Sequence, residues 1–384
     1  MKKVTSLLSV CALLLGMVSC SDNVFEEEFV NQSGVQTRAA AEEITSETSI
    51  LAYILSEGDW YNNKPGSISK FNPSTRTITT GYFKTQNGVD LGDTGNEMVL
   101  YNGMIYCLVS GHDLTSNNGG LWVINPATCK ATTTTMIQYD DPKLTGYKAM
   151  PRHMAFDGGN MYISLYSGAV IKVSIERPEK VIGSKLLNAK FSEGICVANG
   201  RIYVCNSGNE NDATAGKGKT ISYFSATSMD GTSENVSTMT SALNPKLIKY
   251  SAENECFYYN ALGEGAMNTS LHYFSDPAKG YSTIANVKAS DFDLTDNYIY
   301  TVDVNWEDYE TSLSRVSLAN NQVYNYTLDE NLFFFGLSVK YHNGLLYVGE
   351  SMSDRMFVFR ESNGAYLYDV NTAVPNVNTI VFVN

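Results

Sequence analysis

The sequence predicts an all-β fold, a seven-bladed β-propeller of four-stranded blades, from a repeated hairpin, a repeat of about 49 residues and an unpartnered C-terminal strand. The clearest hairpin is residues 98–111, in which two apolar strands flank Asn-Gly. Both positions of this turn need positive φ, which makes Asn-Gly the strongest short-range hairpin signal. The pattern returns at residues 154–162, 195–203 and 337–347, with weaker copies at 247–258 and 292–300.

An aromatic residue follows each predicted turn, and its spacing gives the repeat length. With one earlier copy included, these aromatics lie 41 to 56 residues apart. That spacing fits a propeller blade and exceeds the length of an ankyrin or tetratricopeptide unit, both of which are helical. The seven aromatics are Tyr53, Tyr106, Tyr162, Tyr203, Phe257, Tyr300 and Tyr347.

Later segments supply the remaining strands and close the ring. Residues 120–126 are interpreted as a third strand, and the threonine-rich residues 75–83 and 130–138 as fourth strands. No helical periodicity follows the N-terminal apolar run. The unit around Tyr53 lacks a preceding strand, whereas residues 375–383 form a strand without a partner. We therefore expect the C-terminal strand to become the innermost strand of the first blade, because closure removes exposed sheet edges.

The N-terminus predicts an exported, lipid-anchored protein. Two lysines precede a mostly apolar run that ends at Val18, which is typical of a signal peptide and too short to span a bilayer. Ser19 before Cys20 resembles the lipobox of bacterial lipoproteins. We interpret residues 1–19 as a lipoprotein signal peptide and Cys20 as the lipid attachment site and membrane anchor. An ordinary signal peptide followed by a coincidental cysteine is the alternative.

Residues 20–48 predict a lipidated, acidic, flexible tether, which leaves residues 49–384 for the propeller. The run Glu26-Glu27-Glu28 lies in a polar segment too poor in apolar residues to fold alone. It resembles the acidic export signal of Bacteroides-type surface lipoproteins. We therefore expect an outer-membrane location on the cell surface, with a periplasmic protein on a plain spacer as the alternative.

Charge argues against nucleic acid as a partner. Removing the signal peptide takes away two lysines and no acidic residue, so the formal net charge changes from −13 to −15. Such a surface repels phosphate backbones.

The cysteines of the mature chain indicate neither a disulfide framework nor a zinc site, because five remain after Cys20 and no CxxC spacing occurs. We expect small buried hydrophobes, with one pairing left open. They are Cys107, Cys129, Cys196, Cys205 and Cys256.

Three stretches carry a family resemblance: residues 55–58 (Leu-Ser-Glu-Gly) before Trp60, residues 66–73, and residues 87–94 leading into the first hairpin. With them, residues 49–384 resemble the YncE-like propeller lipoproteins of Bacteroides-type bacteria. Members include BtuG-like cobalamin-binding lipoproteins, which work with TonB-dependent transporters, and siderophore-capturing lipoproteins. The resemblance implies capture of a nutrient such as a cobamide for an outer-membrane importer.

A ligand is expected on one face of the propeller, where the loops between second and third strands and the loops entering first strands lie together. Aromatic rings beside charged groups suit a large amphipathic ligand, because rings supply contact area and polar groups fix orientation. Trp122 lies mid-strand and is assigned to the core. The candidate ligand-binding residues are Trp60, Tyr61, His112, Arg152, His153, Trp306, Asp308, Tyr309 and Arg355.

Other functions remain open from the residues alone. His112 and His153, with Arg152 and Glu193 nearby in the predicted map, could form a general base or a metal site. No HExxH or nucleophile elbow occurs, so we expect no enzyme, no metal and no cofactor. Residues 209–212 (Asn-Glu-Asn-Asp) offer oxygen ligands for calcium, but their spacing is not that of an EF-hand and favours an acidic insertion. A protein- or glycan-binding scaffold is the main alternative, and a propeller lyase or hydrolase the weaker one.

Overall fold

The computed structural model describes residues 51–59, 62–113, 115–208 and 218–383, which form seven antiparallel sheets. The signal peptide, Cys20, the tether, Trp60, Tyr61 and the 209–212 segment lie outside the described residues. Within the described ranges, no helix is long and apolar enough to cross a membrane.

Each sheet is one blade, and the strands follow chain order outward from the propeller axis, except that the innermost strand of blade 1 is the last strand of the chain. Blade 1 contains β1 (Leu51–Ser56), β2 (Ser67–Asn72), β3 (Thr77–Thr79) and the last strand, β27 (Val377–Val383); blade 2 contains β4 (Thr94–Tyr101), β5 (Met104–Ser110) and β6 (Gly120–Ile124). Blade 3 contains β7 (Pro151–Asp157), β8 (Asn160–Leu165), β9 (Ala169–Ser174) and β10 (Val181–Leu186); blade 4 contains β11 (Ser192–Ala198), β12 (Arg201–Asn206), β13 (Thr220–Ser225) and β14 (Ser237–Thr240). Blade 5 contains β15 (Pro245–Ser251), β16 (Cys256–Ala261), β17 (Ser270–Phe274) and β18 (Ser282–Thr283). Blade 6 contains β19 (Asp291–Leu294), β20 (Tyr298–Asn305), β21 (Glu310–Ser317) and β22 (Val323–Asn325); blade 7 contains β23 (Gly336–His342), β24 (Leu345–Glu350), β25 (Arg355–Arg360) and β26 (Tyr366–Asn371).

The Asn-Gly hairpins are confirmed by their backbone conformations. Asn102 and Gly103 have φ values of 46° and 75°, and the turns at residues 199–200 and 343–344 are alike. Positive φ at both positions is the geometry of the type I′ turn, whose twist matches that of the flanking strands. Local sequence therefore fixes where the first two strands of these blades meet.

The seven spaced aromatics occupy equivalent places, one on the second strand of each blade, and all are buried. They lie in six of the seven apolar clusters found among the described residues, and each cluster is packed between two neighbouring blades. The hydrophobic core is therefore a ring of contacts between blades. Burying one large apolar side chain there contributes about 1.5–3 kcal/mol to stability. Trp122 lies in the cluster between blades 1 and 2, as predicted, and is 3% exposed.

The C-terminal strand closes the ring, as the sequence predicted. β27 pairs antiparallel with β1, with Ile380 opposite Ile54 and Val383 opposite Leu51. The innermost strands β27, β4, β7, β11, β15, β19 and β23 then contact one another in a circle around the axis. The first and last of the described blades are therefore joined, and the ring has no gap between them.

The fourth strand predicted for blade 2 is wrong. Residues 130–138 meet β6 only at two isolated bridges, Ile124 with Ala131 and Leu121 with Ile137. Between these bridges β6 advances three residues while the facing segment advances six, so a continuous ladder cannot form.

The strand predicted over residues 75–83 is also wrong in its second half, and the expected absence of helix fails there. β3 ends at Thr79, and after Gly81 in a left-handed conformation a short helix, α1, spans Tyr82–Asn87. Its buried Phe83 packs 5.1 Å from Trp122, ring centroid to ring centroid. Packing against the inter-blade core thus outweighs the β-propensity of the threonines.

The five described cysteines are buried, as expected of small hydrophobes, and all five thiols are free. Burial raises the pKa of each thiol, so the thiolate form is disfavoured. The pairing left open by the sequence is therefore not formed.

Candidate functional site

The beginnings of the inner strands converge on the propeller axis. In six of the seven described blades the ladder between the first and second strands shifts register there. Such bulges re-aim side chains that a regular ladder would direct between blades. Side chains at or beside the shifts, including those of Asn96, Arg152, Lys246, Leu337 and Asn378, line a cavity of about 260 Å³ on the axis. We call this the axial cavity, and the face on which these strands begin the loop face.

One side of the axial cavity carries a closed network of charged groups from blades 2, 3 and 4. His153 Nδ1 lies 3.1 Å from Glu97 Oε1, and its Nε2 lies 3.5 Å from Glu193 Oε2. Arg152 donates from Nε and Nη2 to the two oxygens of Glu193, both at 3.1 Å. Its Nη1 donates to Asn96 Oδ1 at 3.1 Å. Such a bidentate pair fixes the guanidinium plane, so this wall is preorganised.

The network keeps its members ionised. Burial alone would lower the pKa of His153, but the Glu97 carboxylate and hydrogen bonds to Glu193 and Glu97 raise it to about 9. Burial would raise the pKa of Glu193, but Arg152 and His153 hold it at about 2. His153 is therefore an imidazolium at neutral pH and does not offer a basic nitrogen.

The raised pKa of His153 predicts a pH dependence of stability. Its stabilising contribution is complete below the unfolded value of about 6.5 and is lost as the pH rises through about 9. Relative to His153→Gln, the unfolding free energy of the wild type should fall by up to about 3 kcal/mol across that window. Urea denaturation at several pH values measures this difference. Parallel curves for the two proteins would show that His153 is not held charged.

The opposite side of the axial cavity is rich in lysine. Asp293 Oδ1 accepts from Lys249 Nζ at 3.3 Å and from Lys340 Nζ at 3.0 Å, and its Oδ2 accepts from the Tyr341 amide. Burial would raise the pKa of Asp293, but the two ammonium groups lower it, so the carboxylate is ionised. Lys246 lines the same side. We call Lys246, Lys249 and Lys340 the lysine wall.

An aromatic patch lies on the loop face beside the cavity. Trp306 stacks on Phe335 with ring centroids 5.5 Å apart and planes 8° apart. Tyr309 and Phe333 meet the same ring edge-on, at 6.2 Å and 5.1 Å. Phe333 is 49% exposed and Tyr309 40% exposed, so the patch presents aromatic surface to solvent. We call these four side chains the aromatic patch.

The structure brings together only some of the residues predicted from sequence. Arg152 and His153 meet at the axial cavity, and Trp306 and Tyr309 form half of the aromatic patch. Asp308 is exposed next to the patch and accepts a hydrogen bond from Asn305.

Two other candidates lie elsewhere. Arg355 pairs with Asp369 on the neighbouring strand of blade 7 at 3.2 Å. His112 lines a separate polar cavity of about 460 Å³ between the loops of blades 1 and 2, so it does not join His153 in a shared site. Across the described residues, no group of three or more His, Cys, Asp and Glu side chains is arranged to hold a metal ion.

Sequence reasoning missed Glu97, Lys249, Asp293 and Lys340 as site residues. Each is a charged residue within an inner strand. The sequence did carry a signal for them: a charged residue within a strand that is predicted to line the propeller axis.

The chain is thus a seven-bladed β-propeller with a charged cavity on its axis. It belongs to the family described as "Domain of unknown function (DUF5074)", whose model matches residues 52–384.

Three solved structures that are similar in fold share little sequence with the chain. A putative 6-phosphogluconolactonase from Bacteroides fragilis is 11% identical over 89% of this chain and all of that one, with a TM-score of 0.58. A protein from Lactobacillus plantarum is 10% identical over 88% of this chain and all of its own, with a TM-score of 0.59. Kuenenia stuttgartiensis hydrazine synthase is 15% identical over 68% of this chain and 74% of that chain, with a TM-score of 0.51. At these identities the likeness shows the fold alone, and no curated protein matches the chain.

Proposed function

We propose that this chain is a cell-surface lipoprotein that captures a nutrient-sized small molecule on its loop face for a TonB-dependent outer-membrane transporter. Surface anchoring and the transporter rest on the lipobox-like Cys20, the acidic segment after it and the resemblance to propeller lipoproteins. The site rests on the geometry of the described residues.

The observation that best supports this proposal is that the segment entering blade 7 carries both the buried centre of the aromatic patch and a residue that lines the charged axial cavity. Phe335, the centre of the patch, precedes Gly336 and Leu337, and Leu337 lines the cavity. A Cβ at Gly336 would lie 2.3 Å from Val302 Cγ2, so glycine allows this close passage. A ligand at this place can stack on rings and form charged hydrogen bonds at once, which is the usual division of labour in small-molecule sites.

Size sets how a ligand would lie. A cavity of about 260 Å³ holds one polar group and falls just below the ~300–1,000 Å³ typical of complete drug-sized pockets. The remainder of a large ligand therefore extends over the loop face and the aromatic patch. A cobamide, with a broad macrocycle and polar side chains, has this division of shape.

Binding is preferred to catalysis because of the state of His153. Both ring nitrogens face carboxylates, and the resulting imidazolium cannot accept a substrate proton at neutral pH. The rigid, fully paired network suits recognition, because it fixes ligand orientation without reorganisation.

The test is a calorimetric and thermal-shift screen of the unlipidated mature chain against cobalamin, cobinamide, haem, siderophores and oligosaccharides. A ligand that binds only the folded state raises the melting temperature, and we expect one class to bind with submicromolar Kd. Trp306→Ala and Phe333→Ala should each weaken that binding about tenfold or more, because exposed aromatic anchors dominate such sites.

Tyr324→Ala is the matched control. Tyr324 is a similarly exposed aromatic, but it lies on the outer strand β22, away from the loop face. Silence across the panel would favour the protein- or glycan-binding scaffold. Patch variants that bind like the wild type would place the site elsewhere.

A further inference from the structure

The two sides of the axial cavity differ in how completely their polar groups are paired. On the network side, Glu97 accepts from the Met154 amide at 2.6 Å and faces His153 with its other oxygen. Both oxygens of Glu193 face Arg152. That side has little capacity left for a ligand.

The lysine wall has donors to spare. Each ammonium carries three N–H groups. Lys340 has one acceptor, Asp293, while Lys249 has two, Asp293 and the Phe292 carbonyl at 2.7 Å. Within the described part of the chain, Lys246 has neither a hydrogen bond nor an ion pair, although it lines the cavity. Three of nine N–H groups are therefore directed to protein acceptors, and six remain for water or a ligand.

The lysine wall is also accessible and locally cationic. The side chains of Lys249 and Lys340 are 37% and 42% exposed, whereas that of Asp293 between them is 4% exposed. The three ammonium groups share this side with three carboxyl groups, Glu57, Asp291 and Asp293. Burial raises the pKa of the Glu57 and Asp291 carboxyls, which favours their neutral forms, in a chain whose formal net charge is −13. Ammonium groups attract an anion to this wall although the chain as a whole is acidic.

The contacts of Lys249 and Lys340 with Asp293 also fix the positions of the two ammonium groups. Because Lys249 and Lys340 reach the same oxygen of Asp293, from inner strands on either side of β19, their ammonium groups stand close together. Two adjacent ammonium groups with free N–H bonds match an oxyanion, which accepts through several oxygens at once.

We propose that Lys246, Lys249 and Lys340 form an oxyanion subsite, which binds a carboxylate or phosphate group of a small molecule inside the axial cavity. As the anchor of the captured nutrient, the subsite rests on the proposed function. Its binding of simple anions does not.

The test is calorimetric titration of the unlipidated mature chain with citrate and with pyrophosphate at low ionic strength. We expect one saturable site, weakened by added salt because the contact is between charges. The double variant Lys246→Met, Lys340→Met should weaken binding at least tenfold, while Lys249 stays to pair with Asp293. Lys340→Arg, which keeps the charge, should retain binding, and Lys130→Met on the exposed surface is the matched control. Which probe binds more tightly separates carboxylate from phosphate.

An unchanged melting temperature shows that the double variant is folded. Absence of saturable anion binding by the wild type, or equal binding by the folded double variant, would overturn the subsite. If lysine-dependent anion binding occurs but no nutrient binds, the subsite stands and the proposed function fails. If the patch variants lose a nutrient that the lysine variants still bind, the proposed function stands and the lysines are not the anchor of that nutrient.

Discussion

A chain that ends at residue 376 is expected to lose cooperative folding. The truncation removes β27, the inner strand of blade 1, and with it the buried side chains Val377, Ile380 and Val381. Burial of three aliphatic side chains contributes about 5–9 kcal/mol before any ladder hydrogen bond is counted. That is comparable with the whole net stability of a domain, about 5–15 kcal/mol.

Near-ultraviolet circular dichroism during heating measures the effect. The truncated chain should show no sharp transition, whereas a chain ending at Val383, with β27 intact, should melt like the wild type. A sharp transition near the wild-type midpoint in the truncated chain would show that closure by β27 does not hold the ring together.

The variant Glu193→Gln is expected to cost about 3–5 kcal/mol of unfolding free energy. Glu193 is the shared partner of Arg152 and His153, and its side chain is 9% exposed. Replacing the carboxylate by an amide leaves two cations with one fewer counter-charge in a buried place, the most damaging way to break an ion pair.

Urea denaturation at pH 7 measures this loss. Glu253→Gln, the same change on an exposed turn, is the control and should stay within about 0.5 kcal/mol of the wild type. Equal stabilities for the two variants would mean that the charged network contributes nothing to the fold.

Much of the fold could be predicted because a hairpin with an aromatic on its second strand recurs along the chain. Asn-Gly turns place the first two strands of blades 2, 4 and 7, and the spacing of Tyr53 to Tyr347 counts the blades. Closure of the ring could be predicted because the first unit, around Tyr53, lacks a preceding strand, while residues 375–383 form a strand without a partner. The errors at residues 75–83 and 130–138 fall in outer segments, where tertiary packing rather than local pattern decides.

The site was harder to predict, because its residues meet only through the ring. Glu97, Arg152 and Glu193 are far apart in sequence, and register shifts bring them together. Loop reasoning found half of the aromatic patch, Trp306 and Tyr309, and two residues of the axial cavity, Arg152 and His153. It could not separate His112, which lies in another cavity of the same face.

The most direct measurement is a crystal structure of the mature chain with the tightest ligand from the screen. We expect ligand density over the mouth of the axial cavity, with a polar group among the lysines and Arg152 and an apolar part on Trp306 or Phe333. Density in the cavity beside His112, or on the face opposite the loops, would contradict this assignment of the binding site.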